Sequence, residues 1–234
     1  MFWDAGTWII AILIGYVLGS LPTAYVAGRL KGQEISEIGD RNAGAANVYR
    51  TIGPWPGILV AVVDIAKGLI AVLIVRELFN SMSAGMVAGV AVILGHIRPL
   101  HLRFPSGRGA ATAVGVLLAT YPVIGVPLAI SGIGVLLFTK KPTAALATFL
   151  IGIPTVTAAT LFPELGDRWL GDYSYPLLVY AFAVPVMVGL SHYVSVKRLA
   201  HLEPESGLAV PSLRTSSHHR GPAGTTAEDP ALRR

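Results

Sequence analysis

Pro56-Gly57-Ile58-Leu59-Val60-Ala61-Val62-Val63-Asp64-Ile65-Ala66-Lys67-Gly68-Leu69-Ile70-Ala71-Val72-Leu73-Ile74-Val75 decides the fold. About twenty mostly apolar residues, rising ~1.5 Å each as a helix, match the ~30 Å hydrocarbon core of a bilayer. Only Asp64 and Lys67 interrupt the run. They stand three apart and so share one helix face. Either charge alone is expensive inside a membrane. The spacing leaves two roles open: an ion pair that pins helix packing, or a contact to a polar ligand.

Similar runs lie on both sides. Residues 8–28 form a first span, 56–75 the second and 82–100 the third. Residues 110–120 and 122–138 are two further spans, because Tyr121-Pro122 stops a helix. Residues 144–162 and 175–196 complete a predicted set of seven. Basic residues follow alternate spans: Lys31, Arg41 and Arg50; Arg98, Arg103 and Arg108; Lys140 and Lys141; Lys197 and Arg198. Positive loops mark the cytoplasmic side, and the alternation requires the split at Pro122. The tail is then inside, the N-terminus outside, and three polar segments (31–50, 98–109 and 192–203) meet on the cytoplasmic face. The fold class is all-α and polytopic. Residues 1–203 form the membrane domain. Residues 204–234, rich in Pro, Ser, Thr, His and Gly without apolar periodicity, are expected to be a disordered tail.

Composition agrees. Of the 234 residues, 53% are hydrophobic and only 13% charged, about half the share in a soluble domain. The mean hydropathy is +0.63. A net charge of +5 on so apolar a chain points to membrane lipid or phosphorylated substrates rather than nucleic acid. With no cysteine, thiolate metal sites and cysteine nucleophiles are excluded. The first residues carry Asp4 and no Lys or Arg, a poor start for a cleaved signal, so the first apolar stretch is expected to remain as a span.

The chemistry-bearing residues lie in the three polar segments. Gly39-Asp40-Arg41-Asn42-Ala43-Gly44-Ala45-Ala46-Asn47-Val48-Tyr49-Arg50 is polar, small and glycine-bearing. Asn42 is placed to cap a short helix, and Asn47 and Arg50 share a face of it. The plainer reading is a solvated loop. Ser106-Gly107-Arg108-Gly109 leads into the fourth span. Backbone N–H groups, the helix dipole and a guanidinium converge there as an anion cradle, although a basic anchoring turn reads alike. His192 and Ser195, three apart near Lys197 and Arg198, either reach a phosphate or mark the membrane boundary. His96 reads as a structural hydrogen-bonding residue or as a base. His201, His218 and His219 show no metal-ligand pattern, and no metal is expected. No Gly-x-Ser-x-Gly elbow and no Walker pattern is present.

Together these residues resemble the integral-membrane glycerol-3-phosphate acyltransferases that use acyl phosphate, the PlsY type. The resemblance spans about 14–203. It includes Gly19-Ser20-Leu21-Pro22-Thr23-Ala24-Tyr25, Asn42 through Gly53, Asp64-Ile65-Ala66-Lys67-Gly68, Leu94-Gly95-His96 with Pro99, Gly107-Arg108-Gly109, and His192, Arg198 and Leu199. It implies transfer of an acyl group from acyl phosphate to the 1-position of glycerol 3-phosphate, giving lysophosphatidic acid and phosphate. It implies no acyl-enzyme, no cofactor, no metal and no coenzyme A thioester. The expected state is a monomer in the cell (inner) membrane with a cytoplasmic active site. On this reading Arg108, Arg50 and His192 are catalytic. Asn42, Gly44, Asn47, Lys67, Gly107, Gly109 and Ser195 join them in holding the two phosphates.

The chain departs from the family pattern at three places. Gly39-Asp40-Arg41-Asn42 stands where Gly-Ser-Gly-Asn is usual, Ser106-Gly107-Arg108-Gly109 replaces Gly-Gly-Lys-Gly, and Ser195 replaces Asn. Asp40 would repel a phosphate, so it is expected to pair with Arg41. No His is followed five residues later by Asp, the pattern of the soluble and peripheral glycerolipid acyltransferases. Two other classes remain from the residues alone: a small-anion transporter, and an inactive homologue that binds lipid or glycerol phosphate.

Overall fold

The computed structural model describes residues 5–100, 106–139, 144–145, 147–148, 151–152, 155 and 174–206, with backbone only over 174–180 and 198–206. Among them all regular structure is helical. The helices that shape the molecule are α1 (Ala5–Gly19), α2 (Thr23–Arg29), α3 (Ala45–Thr51), α4 (Pro54–Phe79), α5 (Met82–Ile97), α6 (Ala110–Thr120), α7 (Pro122–Thr139) and α8 (Ser174–Ser206). The stretch Ala5–Arg29, α4 and α7 are long and apolar enough to cross a membrane; α5, α6 and the Ala181–Lys197 part of α8 are shorter apolar helices. Ile9, Leu13, Leu59, Val62, Ile130 and Ile133 lie exposed along α1, α4 and α7, as lipid contact requires.

The expected first span is broken. Pro22 lacks an N–H and separates α1 from α2, and the Ser20 hydroxyl donates back to the Tyr16 carbonyl at 2.8 Å. The break is held by α4. Lys67 Nζ donates to the Leu21 carbonyl at 3.3 Å, and the Thr23 hydroxyl donates to Asp64 Oδ1 at 2.7 Å.

Other boundaries have local causes. α4 begins two residues before the expected start because Pro54 suits the first helical position, where its missing N–H is not needed. It runs on to Phe79 and stops at Asn80 in the left-handed region. The Ser81 side chain then accepts from Ala84 N–H at 3.2 Å and caps α5. α5 ends at Ile97, short of the expected 100, because Pro99 keeps Arg98 out of helical geometry. Tyr121-Pro122 separates α6 from α7 as expected. The expected sixth span, 144–162, lies largely outside the described residues, as does the tail beyond 206. α8 passes the expected domain boundary at 203.

Two close helix contacts build the bundle. The buried face of α1 is Thr7, Ala11, Gly15 and Gly19, one residue per turn. A side chain at Gly15 would strike the Ala88 carbonyl of α5, and one at Gly95 of α5 would strike the Tyr16 carbonyl. Likewise Gly68 of α4 meets the Thr112 carbonyl of α6, and Gly115 of α6 meets the Ile65 carbonyl. Small residues let backbones approach where lipid supplies no hydrophobic drive between helices. The core that results joins Val72, Val92, Ile93, Val116 and Leu117 to Val184 and Val188 of α8. Among the apolar helices described, α6 is the shortest: its eleven residues reach about 16 Å, roughly half a ~30 Å membrane core. α7 follows it after one residue, Tyr121.

Candidate active site

The first polar segment folds as a small satellite on α2 and α4, with Ala24, Tyr25, Ile35, Ala43, Val48 and Val60 as its core. Asn47 of α3 organises it. Its amide donates to the Ile35 and Ile38 carbonyls at 3.3 and 3.0 Å, and its oxygen accepts from Asp40 N–H at 3.2 Å. Asn47 is fully buried, and this committed amide holds the loop rather than reaching a ligand. Asn42 does not cap α3. Its own N–H is taken by Asp40 Oδ1 at 3.2 Å, and Gly44 stands at the N-cap in extended conformation. Gly44 has another use: it packs beside Asn42 and the Gly107 backbone, bringing the first polar segment against the second.

The second segment is built on the end of α5. Ser106 N–H donates to the Ile97 carbonyl at 3.1 Å. Gly109 stands at the N-cap of α6 with φ 82, where a side chain would be strained and would crowd Ile93 and Ile97. Gly107 lies against the His96 ring. His96 Nδ1 in turn is 3.7 Å from Asp64 Oδ1, which Lys67 Nζ meets at 2.9 Å. Lys67 is therefore committed to Asp64 and Leu21, beneath the turn rather than in it. The sequence could not show this column, because its members come from three different spans.

Arg50 and Arg108 converge on one atom. Asp40 Oδ2 accepts from Arg50 Nη2 at 2.7 Å and lies 3.5 Å from Arg108 Nη2. The expected Asp40–Arg41 pair does not form. Arg41 sits at φ 51, a turn conformation that leaves it exposed, and the long arms of Arg50 and Arg108 reach the carboxylate instead. Arg108 is the more enclosed of the two. Burial pulls its guanidinium below the usual range, Asp40 opposes that, and Arg50 adds to it; an arginine keeps its charge throughout. Its Nε is buried with no hydrogen-bond partner among the described residues, and so is His192 Nδ1 of α8. The charges of Arg108 and Asp40 both act on His192. Ser195, one turn further on, donates its hydroxyl to the Ser191 carbonyl at 2.8 Å and is not tied to the cluster. Asp40, Arg50 and Arg108 thus come together, with His192 within electrostatic reach and Gly44, Gly107 and Gly109 shaping the backbone around them.

A helical membrane bundle that gathers two guanidiniums beside buried polar atoms without partners among the described residues has the charge and free donors that an anion would need. The sequence model of the family described as "Glycerol-3-phosphate acyltransferase" matches residues 9–202. A glycerol-3-phosphate acyltransferase from Prochlorococcus marinus (strain MIT 9312) is 33% identical over 192 residues, 82% of this chain and 93% of that protein. Glycerol-3-phosphate acyltransferase 4 of Dehalococcoides mccartyi (strain ATCC BAA-2266 / KCTC 15142 / 195) is 37% identical, covering 81% and 97%. The crystal structure of PlsY (YgiH), an integral membrane glycerol 3-phosphate acyltransferase in its glycerol 3-phosphate form, superposes with a TM-score of 0.66 at 29% identity, over 84% of this chain and 93% of that one. Its lysophosphatidic acid form gives 0.64. The chain belongs to the PlsY-type glycerol-3-phosphate acyltransferase family and is an integral membrane acyltransferase.

Proposed function

We propose that this enzyme transfers an acyl group from acyl phosphate to the 1-position of glycerol 3-phosphate, as a monomer, at the cytoplasmic face of the cell membrane. The observation that carries the reading is the convergence of Arg50 and Arg108 on a single anionic oxygen. Both come from one chain, and the basic loops favour the cytoplasmic side. The names of the relatives and of the two crystal forms supply glycerol 3-phosphate as acceptor and lysophosphatidic acid as product.

The chemistry needs no nucleophile from the protein. The 1-hydroxyl oxygen attacks the acyl carbon, the bond from that carbon to the bridging phosphate oxygen breaks, and the hydroxyl proton ends on the released phosphate. The departing phosphate gains charge as that bond breaks. A fixed guanidinium beside it binds the transition state better than the ground state, while the rest of the cluster positions the two substrates.

Arg108→Ala should lower kcat/KM by about a hundred- to a thousand-fold, the usual effect of removing one such donor. Arg108→Lys should recover much of the loss, because the charge is retained. Steady-state assays with acyl phosphate and glycerol 3-phosphate, scoring lysophosphatidate and phosphate, measure both. A folded Arg108→Ala protein with near-normal kcat/KM would show that the turn only anchors the chain.

A further inference from the structure

Asp40 stands where the family usually has serine, and its carboxylate occupies the point where the two arginines meet. We propose that Asp40 is a built-in competitor for the substrate phosphate: it fills the arginine cradle between turnovers, is displaced when phosphate binds, and so sets the affinity of the site. The proposal rests on Arg50 and Arg108 being the phosphate cradle.

Three observations carry it. The carboxylate is placed, not incidental. Asn47 fixes the Asp40 backbone, Asn42 N–H holds Oδ1, and Oδ2 is left for the arginines. Its hold on the cradle is incomplete, because Oδ2 is at 3.5 Å from Arg108 Nη2 and leaves the buried Arg108 Nε without a partner among the described residues. A phosphate offers three oxygens and can satisfy Nη2 of both arginines and that Nε together, which one carboxylate oxygen cannot. The Asp40 side chain is also a quarter exposed, so it has water to swing into when displaced. Charge sharpens the contest. Two arginines and one aspartate leave the cradle with one net positive charge, against about two negative charges on a phosphate monoester. Return of Asp40 to the arginines would then help expel the phosphate product.

The test uses the full-length protein in detergent, as wild type, Asp40→Asn and Asp40→Ser, with thermal melting to confirm folding. The inhibition constant of inorganic phosphate and the KM values for glycerol 3-phosphate and acyl phosphate are measured separately. Both substitutions should tighten inorganic phosphate by about ten- to a hundred-fold, the range that a single hydrogen bond to a charged group spans. The substrate whose KM falls in parallel is the one whose phosphate lies between the arginines. Unchanged or weakened phosphate inhibition in both folded variants would overturn the proposal and make Asp40 a brace for the arginines. Arg108→Ala in the wild-type and Asp40→Asn backgrounds separates the two levels. If it weakens phosphate in both while Asp40→Asn fails to tighten it, the cradle stands and the competitor is refuted. If it changes phosphate binding in neither, the cradle fails and the competitor with it.

Discussion

Asp64 is 1% exposed within a helix that faces hydrocarbon, and it persists there because other spans come to meet it. Lys67 Nζ is at 2.9 Å and the Thr23 hydroxyl at 2.7 Å, and His96 closes the remaining side. Removing one member of such a pair leaves a buried charge without compensation, which costs about 3–5 kcal/mol. Asp64→Ala should therefore lower the melting temperature sharply. The double variant with Lys67→Met should regain much of the loss, since no charge is then stranded. Equal destabilisation by the single and double variants would show that the pair is not what matters at this position. The sequence displayed half of this arrangement, because a three-residue spacing places Asp64 and Lys67 on one face. Thr23 and His96 were invisible as partners, being 41 and 32 positions away. The same limitation misassigned Asp40. Its chain neighbour was the natural guess, but adjacent side chains diverge in a turn with positive φ, and residues 10 and 68 positions away reach the carboxylate instead.

Helices in this bundle are held by what their glycines lack. Gly115 of α6 lies against the Ile65 carbonyl of α4, and backbone cannot yield as a flexible side chain can. Gly134 of α7 has open space around it. Alanine normally favours a helix over glycine by ~1 kcal/mol, so Gly134→Ala should be neutral or stabilising. Gly115→Ala should instead cost about 1–3 kcal/mol, as overpacking does, and should disturb the Arg108 turn at the head of the same helix. Melting curves and kcat/KM for the two variants provide the comparison, and equal behaviour would remove the packing argument. At this scale hydropathy located most spans and prolines located their ends. It could not show how the break at Pro22 is held, because the residues that stabilise it lie in α4. The stripe Ala11, Gly15 and Gly19 was present in the sequence at four-residue spacing, but apolar counting treats such residues as mere filler.

For the whole molecule, the absence of cysteine gives a clean background on which orientation can be measured. Ser36 lies in the polar segment between α2 and α3, while Asn80 lies in the turn at the far end of α4. A single cysteine in place of Ser36 should react with an impermeant maleimide only from the cytoplasmic side, and one in place of Asn80 only from the other. Reaction of both from the same side would refute the topology on which the cytoplasmic site depends.

The brevity of α6 reaches beyond packing. With eleven residues α6 is shorter than α1, α4, α5 and α7, and the Arg108 turn stands at its head. Mobile ions in water damp a charge over about 8–10 Å at ordinary ionic strength. They do so poorly across apolar walls, which instead focus field lines toward the mouth of a cleft. The guanidinium of Arg108, only 17% exposed at that turn, is therefore screened less by salt than a charge on an open surface. An anion held there should be released less readily by added salt than one held by arginines on an open surface.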